Sequence, residues 1–174
     1  MKKYTKTAML LHWLTALLII CAFWLGITMV DMPGITPTKL RYFSWHKWLG
    51  ITVLGLSCLR LLWRLTHRPP EYPVAMSTWQ QQAASGLHIL LYVLIFAIPV
   101  TGYLYSMAAG IPVIYLGIFP LPVLMQPNPE LKPLLKLVHY LLNMTLLASF
   151  SLHVLAALKH HFIDRDGIFK RIFP

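Results

Sequence analysis

Five histidines lie within the long apolar stretches of this 174-residue chain, where an ionisable side chain is costly and is therefore a candidate functional group. They are His12, His46, His88, His139 and His153. Any one of them could be a neutral buried histidine that is hydrogen-bonded to a neighbouring helix. Five together, with almost no carboxylates in the same stretches, favour a shared chemical role, and imidazole is the commonest metal ligand in proteins.

The spacing of two of these histidines predicts two sites on one helix. His139 and His153 are 14 residues apart. At 3.6 residues per turn they share a helix face to within about 40° and lie about 21 Å apart along the axis. Each site then needs one partner at matching depth. In a four-span topology, depth pairs His12 with His153 near the inner side of the membrane and His46 with His139 near the outer side.

Two imidazoles on facing helices suit axial ligation of a haem iron, because porphyrin fills the four equatorial positions. A bare zinc or copper ion would want further ligands, and no Asp, Glu or Cys is placed to supply one. The chain has no CxxCH motif, which excludes covalent c-type attachment. The residues four positions after the predicted ligands are Ala16, Gly50, Asn143 and Ala157. None of them is bulky, which leaves room for a macrocycle but also suits plain helix packing.

Three further residues are candidates for roles beside the haems. Arg60 is 14 residues after His46, so we expect it to bind a propionate of the inner haem; the alternative is snorkelling to lipid headgroups. His88 is an alternative inner ligand, a residue of a quinone site, or an interfacial histidine without special function. His160, seven residues after His153, could carry protons for a quinone or could belong to a solvated helix end.

The elements that position these residues are membrane spans. The chain is 57% hydrophobic and 11% charged, with a mean hydropathy of +0.64, whereas a soluble domain would need more charged surface. Four apolar stretches have about the 20 residues that cross a bilayer. We expect an all-α membrane protein, a four-transmembrane-helix bundle in a single domain over residues 1–174, with spans at about 9–30, 44–65, 83–107 and 134–162. The first stretch is too long for a signal peptide and lacks a cleavage site, so we expect it to be retained.

The formal charge of +10 is typical of nucleic-acid-binding proteins, but four long apolar runs exclude a soluble domain of that kind. The charge instead predicts how the chain is oriented in the membrane. With the N-terminus inside, ten basic residues face the cytoplasm and five face outward, so both termini are expected to be cytoplasmic. The outer five are Lys39, Arg41, Lys47, Lys132 and Lys136. The segment between spans three and four is apolar but broken by prolines, so we expect it to cover the bundle at the outer interface rather than to cross the membrane.

Four stretches in this order resemble the bacterial cytochrome b561 family, a relative of the cytochrome b subunits of hydrogenase and formate dehydrogenase. They are LLHWLTALL, HKWLGITVLGLSCLRLLWRL, GLHILLYVLIFAIPVTGYLYS and LVHYLLNMTLLASFSLHVLAALKHHFIDRDGIFKRIF. The resemblance covers essentially the whole chain. It implies a four-helix diheme cytochrome of the bacterial inner membrane, with b haems ligated by His12 with His153 and His46 with His139, and electron exchange with the ubiquinone pool.

Three functional hypotheses follow. The leading one is transfer of single electrons between an outer-face partner and ubiquinone near the inner haem; in one variant the outer partner is superoxide, steered by the outer basic residues. The second is a membrane anchor that relays the electrons of a partner dehydrogenase docked on the apolar segment between spans three and four. The third, a transporter or scaffold without cofactor, is disfavoured by the lack of membrane carboxylates. The chain could also form a homodimer.

Overall fold

The computed structural model describes residues 2–73 and 76–173. Within them, four long helices make up most of the protein: α1 (Lys6–Asp31), α2 (Pro37–Thr66), α3 (Thr78–Ala108) and α4 (Leu131–Lys159). A π-helical turn, His160–Asp164, continues α4 and is followed by a 3-10 helix, Phe169–Arg171. The four helices are long and apolar enough to cross a membrane. The predicted all-α membrane bundle of four helices is therefore confirmed, whereas the orientation of the termini stays a prediction.

All four helices begin before the predicted spans, and two of them carry a proline in the first helical turn, where it is tolerated. Pro37 is the first residue of α2, and the side chain of Thr36 caps that helix. Pro133 is the third residue of α4, where its missing N–H would have had no partner within the helix. α3 begins at Thr78. The helices therefore extend beyond the predicted membrane spans, whose boundaries stay predictions.

The interior of the bundle is divided by an apolar layer. α1 packs against α2, α3 packs against α4, and α2 contacts α3. Leu94, Ile95 and Leu146 form a buried cluster, on which six partly buried residues pack: Ile19, Leu91, Tyr92, Phe96, Ile98 and Leu142. Leu146 is seven residues from both His139 and His153. The apolar layer consequently lies between the two histidine levels of α4.

The segment between α3 and α4 forms a hairpin on the side of α2. Strands β1 (Ile114–Tyr115) and β2 (Phe119–Pro120) pair antiparallel, and the chain reverses through left-handed conformations at Leu116 and Gly117. Trp48 Nε1 on α2 donates a hydrogen bond to the carbonyl of Ile114 (2.7 Å). The Tyr115 hydroxyl is hydrogen-bonded to Thr52 Oγ1 on the same helix (2.9 Å). These contacts hold the hairpin against the bundle. The segment therefore covers the bundle and does not form a fifth span.

Candidate functional site

The two histidines predicted to lie at the outer level, His46 on α2 and His139 on α4, face each other with their ring centroids 6.3 Å apart. Nδ1 of His46 is 2.8 Å from the carbonyl oxygen of Ala22 on α1, and Nδ1 of His139 is 3.1 Å from that of Ile98 on α3. Because a carbonyl can only accept, each Nδ1 carries the proton and each Nε2 keeps a free lone pair. This is the tautomer that metal ligation through Nε2 requires.

Two glycines on the helices behind this pair allow the rings to lie where they do. A Cβ on Gly26 of α1 would lie 3.3 Å from Cε1 of His46, and a Cβ on Gly102 of α3 would lie 2.9 Å from Cε1 of His139. The second distance is too short for a real contact, so the ring position depends on glycine. Neither residue was predicted from the sequence, where the only signal is a glycine inside an apolar helix, which also suits ordinary helix packing.

A cavity of about 520 Å³ lies at the outer level and is lined by both His46 and His139. Its volume is within the range of about 300–1,000 Å³ that is usual for ligand pockets. Its walls are mostly apolar, and its charged lining residues are all basic: Lys39, Lys47 and Lys132. Apolar walls fit a macrocycle, and the lysines fit its two carboxylates. Of the five outer basic residues, Arg41 and Lys136 are not part of the lining.

The two histidines predicted to lie at the inner level, His12 on α1 and His153 on α4, have ring centroids 6.4 Å apart. His88 on α3 also lies beside His153, at 5.3 Å. An iron atom held between two Nε2 atoms separates the ring centroids by about 6 Å, from two bonds of about 2 Å and about 1 Å to each ring centre. The separations of the two predicted pairs agree with this value, whereas the spacing of His88 from His153 is shorter.

Arg60 contacts an inner histidine directly. Its Nη2 is 2.9 Å from Nδ1 of His12, and because a guanidinium has only donors, Nδ1 is the acceptor. Ligation through Nε2 of His12 would require this contact to change, since a ligating imidazole keeps its proton on the other nitrogen. Arg60 and Arg64 both lie over the ring of Tyr92, at 5.2 Å and 5.7 Å. Among the described residues, no carboxylate forms an ion pair with Arg60, so binding of a propionate stays a prediction.

His160 lies in the π-helical turn that ends α4, against two carboxylates. Its Nδ1 is 2.7 Å from Oδ2 of Asp166 and 3.1 Å from Oδ2 of Asp164. The His160 side chain is only 13% exposed, so it differs from the side chains of a solvated helix end. Asp166 was not predicted from the sequence, because its contact depends on how the chain turns after the helix.

Four apolar helices that cross a membrane and carry facing histidine pairs inside their bundle define a membrane protein of the cytochrome b class. Residues 3–174 match the family model described as prokaryotic cytochrome b561. The chain therefore belongs to the prokaryotic cytochrome b561 family, as the sequence resemblance indicates.

Three relatives support the same assignment. Cytochrome b561 homolog 2 of Escherichia coli (strain K12) is 32% identical over 171 residues, 98% of this chain and 91% of the relative. Cytochrome b561 homolog 1 of the same strain is 30% identical over 174 residues, 100% and 98% of the two chains. A Yersinia pestis protein named probable superoxide oxidase CybB is 30% identical over 177 residues, which are 99% of this chain and 97% of the relative. The protein is thus a multi-pass haem b protein of the bacterial inner membrane that acts in electron transfer.

Proposed function

We propose that the protein carries single electrons between two b haems, an outer one held by His46 and His139 and an inner one held by His12 and His153. The observation that supports this most strongly is the near-equal ring separation of the two pairs, 6.3 Å and 6.4 Å. Bound haem supplies a one-electron iron couple. The residues of the chain ligate the iron, bury the macrocycle and tune its potential through neighbouring cations.

Ubiquinone is the proposed partner at the inner level, on the cytoplasmic side that the basic residues favour. His88 and His160 are the residues proposed to contact it. His88 is 5.3 Å from His153 between ring centroids, and His160 follows His153 by seven residues on the same helix face. An imidazole can donate to or accept from a quinone carbonyl oxygen, so both histidines have the chemistry that a quinone headgroup requires.

Superoxide is the proposed outer donor. Lys39, Lys47 and Lys132 line the outer cavity together with the predicted ligands, and a cluster of cations attracts a small anion and speeds its arrival. The name of the Yersinia pestis relative agrees with this chemistry. Rapid mixing of the oxidised protein with superoxide should reduce haem at a rate that falls with added salt. Lys47→Gln should slow this reduction, whereas Lys136→Gln, outside the lining, should not; no haem reduction by superoxide would exclude this donor.

A relay for a partner dehydrogenase is the second candidate. The hairpin between α3 and α4 exposes Ile118 (71%) and Phe119 (59%) on the outer half of the molecule. Exposed apolar side chains next to a redox site are suited to docking a partner. Co-purification of a stoichiometric redox subunit from native membranes, lost on Ile118→Ser with Phe119→Ser, would favour this candidate over superoxide.

A reduced-minus-oxidised spectrum with haem quantification tests the central proposal. The wild type should hold two b haems per chain, and His46→Ala and His12→Ala should each lose a different one. His67→Ala is a matched control, because this histidine stacks on Trp63 at the end of α2 and is not a predicted ligand. One haem in the wild type, or two haems in His46→Ala, would refute the two-pair assignment.

A further inference from the structure

The turn that follows α4 holds Asp166 on both of its carboxylate oxygens. Oδ2 lies 2.7 Å from Nδ1 of His160, and Oδ1 accepts a hydrogen bond from the backbone N–H of Ile168 (3.0 Å). The chain reaches this position through left-handed conformations at Arg165 (φ 52°) and Gly167 (φ 77°). A carboxylate that is fixed at both oxygens presents its charge to His160 in one orientation.

The second carboxylate, Asp164, is engaged differently. Its Oδ2 is 3.1 Å from Nδ1 of His160 but only 2.5 Å from Nζ of Lys159. Lys159 therefore shares the charge of Asp164. The side chain of Asp164 is also more exposed, at 28% against 15% for Asp166, and exposed charges interact more weakly. Asp166 is consequently the stronger partner of His160.

This contact selects a tautomer. A carboxylate accepts a hydrogen bond from Nδ1–H, so this nitrogen stays protonated and Nε2 becomes the nitrogen that can exchange a proton with another molecule. His160 is nearly enclosed but lies at the inner end of the helix that also carries His153. The π-helical form of the turn agrees with a functional role, because π-bulges are frequent at such sites.

We propose that Asp166 is a positioning residue that holds His160 in this tautomer, so that Nε2 passes protons from the inner aqueous side to the quinone. This inference rests on the proposed quinone reduction at the inner level. Reduction of a quinone to a quinol consumes two electrons, which come one at a time from the outer donor through the inner site, and two protons. Each carbonyl oxygen gains one O–H bond. For each proton, Nε2 of His160 first takes it up from inner water and then gives it to a quinone oxygen, so the imidazole is unchanged at the end.

The test uses the haem-loaded full chain in lipid nanodiscs, reduced in advance and mixed rapidly with a short-chain ubiquinone. Asp166→Asn, which is isosteric but uncharged, should slow the reoxidation of haem by about tenfold or more, since a positioned proton donor contributes about 10²–10⁴-fold. Asp166→Glu should restore most of the rate. Asp164→Asn is the matched control and should retain a rate close to that of the wild type, because its charge is shared with Lys159.

Nitrogen-15 NMR of labelled histidine provides a readout that a purely structural role would not change. The wild type should have His160 protonated on Nδ1, and Asp166→Asn should shift the tautomer population toward Nε2. Asp166→Ser is a second uncharged variant, in which the hydroxyl can still accept from the N–H of Ile168. It keeps the test decisive if Asp166→Asn does not fold.

Two outcomes would overturn the inference. One is a wild-type rate of haem reoxidation by quinone in the uncharged variants of Asp166 that fold. The other is an equal loss of rate in Asp164→Asn, which would mean that the summed negative charge matters and not Asp166. Failure of the proposed function is distinct, because the wild-type haem itself would then not be reoxidised by ubiquinone. Haem content and reduction by superoxide should be unchanged in every variant of Asp166.

Discussion

Gly102 lies so close to the imidazole ring of His139 that no side chain fits between them. A Cβ at this position would be 2.9 Å from Cε1 of His139, and the ring cannot easily retreat because its Nδ1 is bound to the carbonyl of Ile98. Gly102→Ala should therefore displace the outer histidine and lower the outer haem content. Spectra with haem quantification measure the effect, and the inner haem should be retained.

A control on the same helix is available for this substitution. A Cβ on Gly86 would meet no atom within 4 Å, so Gly86→Ala should leave both haems in place and, as a glycine-to-alanine change in a helix, slightly stabilise it. Gly26→Ala should have an effect between the two, because its Cβ would lie 3.3 Å from Cε1 of His46. Full haem loading in Gly102→Ala would contradict a role of this glycine.

His88→Ala should keep both haems, whereas His153→Ala should lose the inner one. The ring centroid of His153 is 5.3 Å from that of His88 and 6.4 Å from that of His12. The distance to His12 is closer to the separation of about 6 Å that a shared iron requires. His88→Ala should instead slow the reaction with ubiquinone. Loss of a haem in His88→Ala together with its retention in His12→Ala would reverse the inner pairing.

Leu146→Ala should destabilise the bundle without removing a haem. This side chain is 7% exposed in the apolar layer, and large-to-small changes in a packed core cost about 2–5 kcal/mol. Leu147→Ala is the matched control, since the neighbouring side chain is 44% exposed and should cost much less. Thermal loss of the haem absorption band compares the two variants, and equal losses would indicate that the layer does not contribute to stability.

Arg60→Gln should lower the reduction potential of the inner haem. A partly buried cation beside the ligand His12 disfavours the more positive, oxidised iron, and its removal reverses that effect. A tenfold change in the equilibrium of a one-electron couple corresponds to about 59 mV, so a shift of tens of millivolts is expected in a spectroelectrochemical titration. Arg68→Gln, at an exposed position beyond α2, should leave both potentials unchanged.

The helix count and the facing histidines could be predicted because both depend on lengths and spacings along the sequence. Apolar length gives the spans, and the 14-residue spacing of His139 and His153 returns each side chain to one face. Gly50 and Asn143, expected to leave room for a macrocycle beside the outer pair, do line the outer cavity. The segment between α3 and α4 was expected to cover the bundle at the outer interface, but its hairpin was not predicted.

Other features of the site depend on contacts between helices, which spacing along one helix does not determine. The contact of Gly102 with His139 joins α3 to α4, and the reach of Arg60 to His12 depends on the rotamer of a long side chain. The contact of Asp166 with His160 depends on the left-handed conformation of Arg165, which a non-glycine residue seldom adopts. No sequence pattern predicts that conformation.

The apolar layer around Leu146 has a consequence for energetics under a membrane voltage. In the proposed path an electron passes between levels about 21 Å apart, roughly two thirds of a hydrocarbon core about 30 Å thick. A full crossing of one charge corresponds to about 2.3 kcal/mol per 100 mV, so each such transfer corresponds to about 1.5 kcal/mol per 100 mV. Inward electron flow against an inside-negative potential is therefore electrogenic, and turnover in energised vesicles should slow until an uncoupler collapses the voltage.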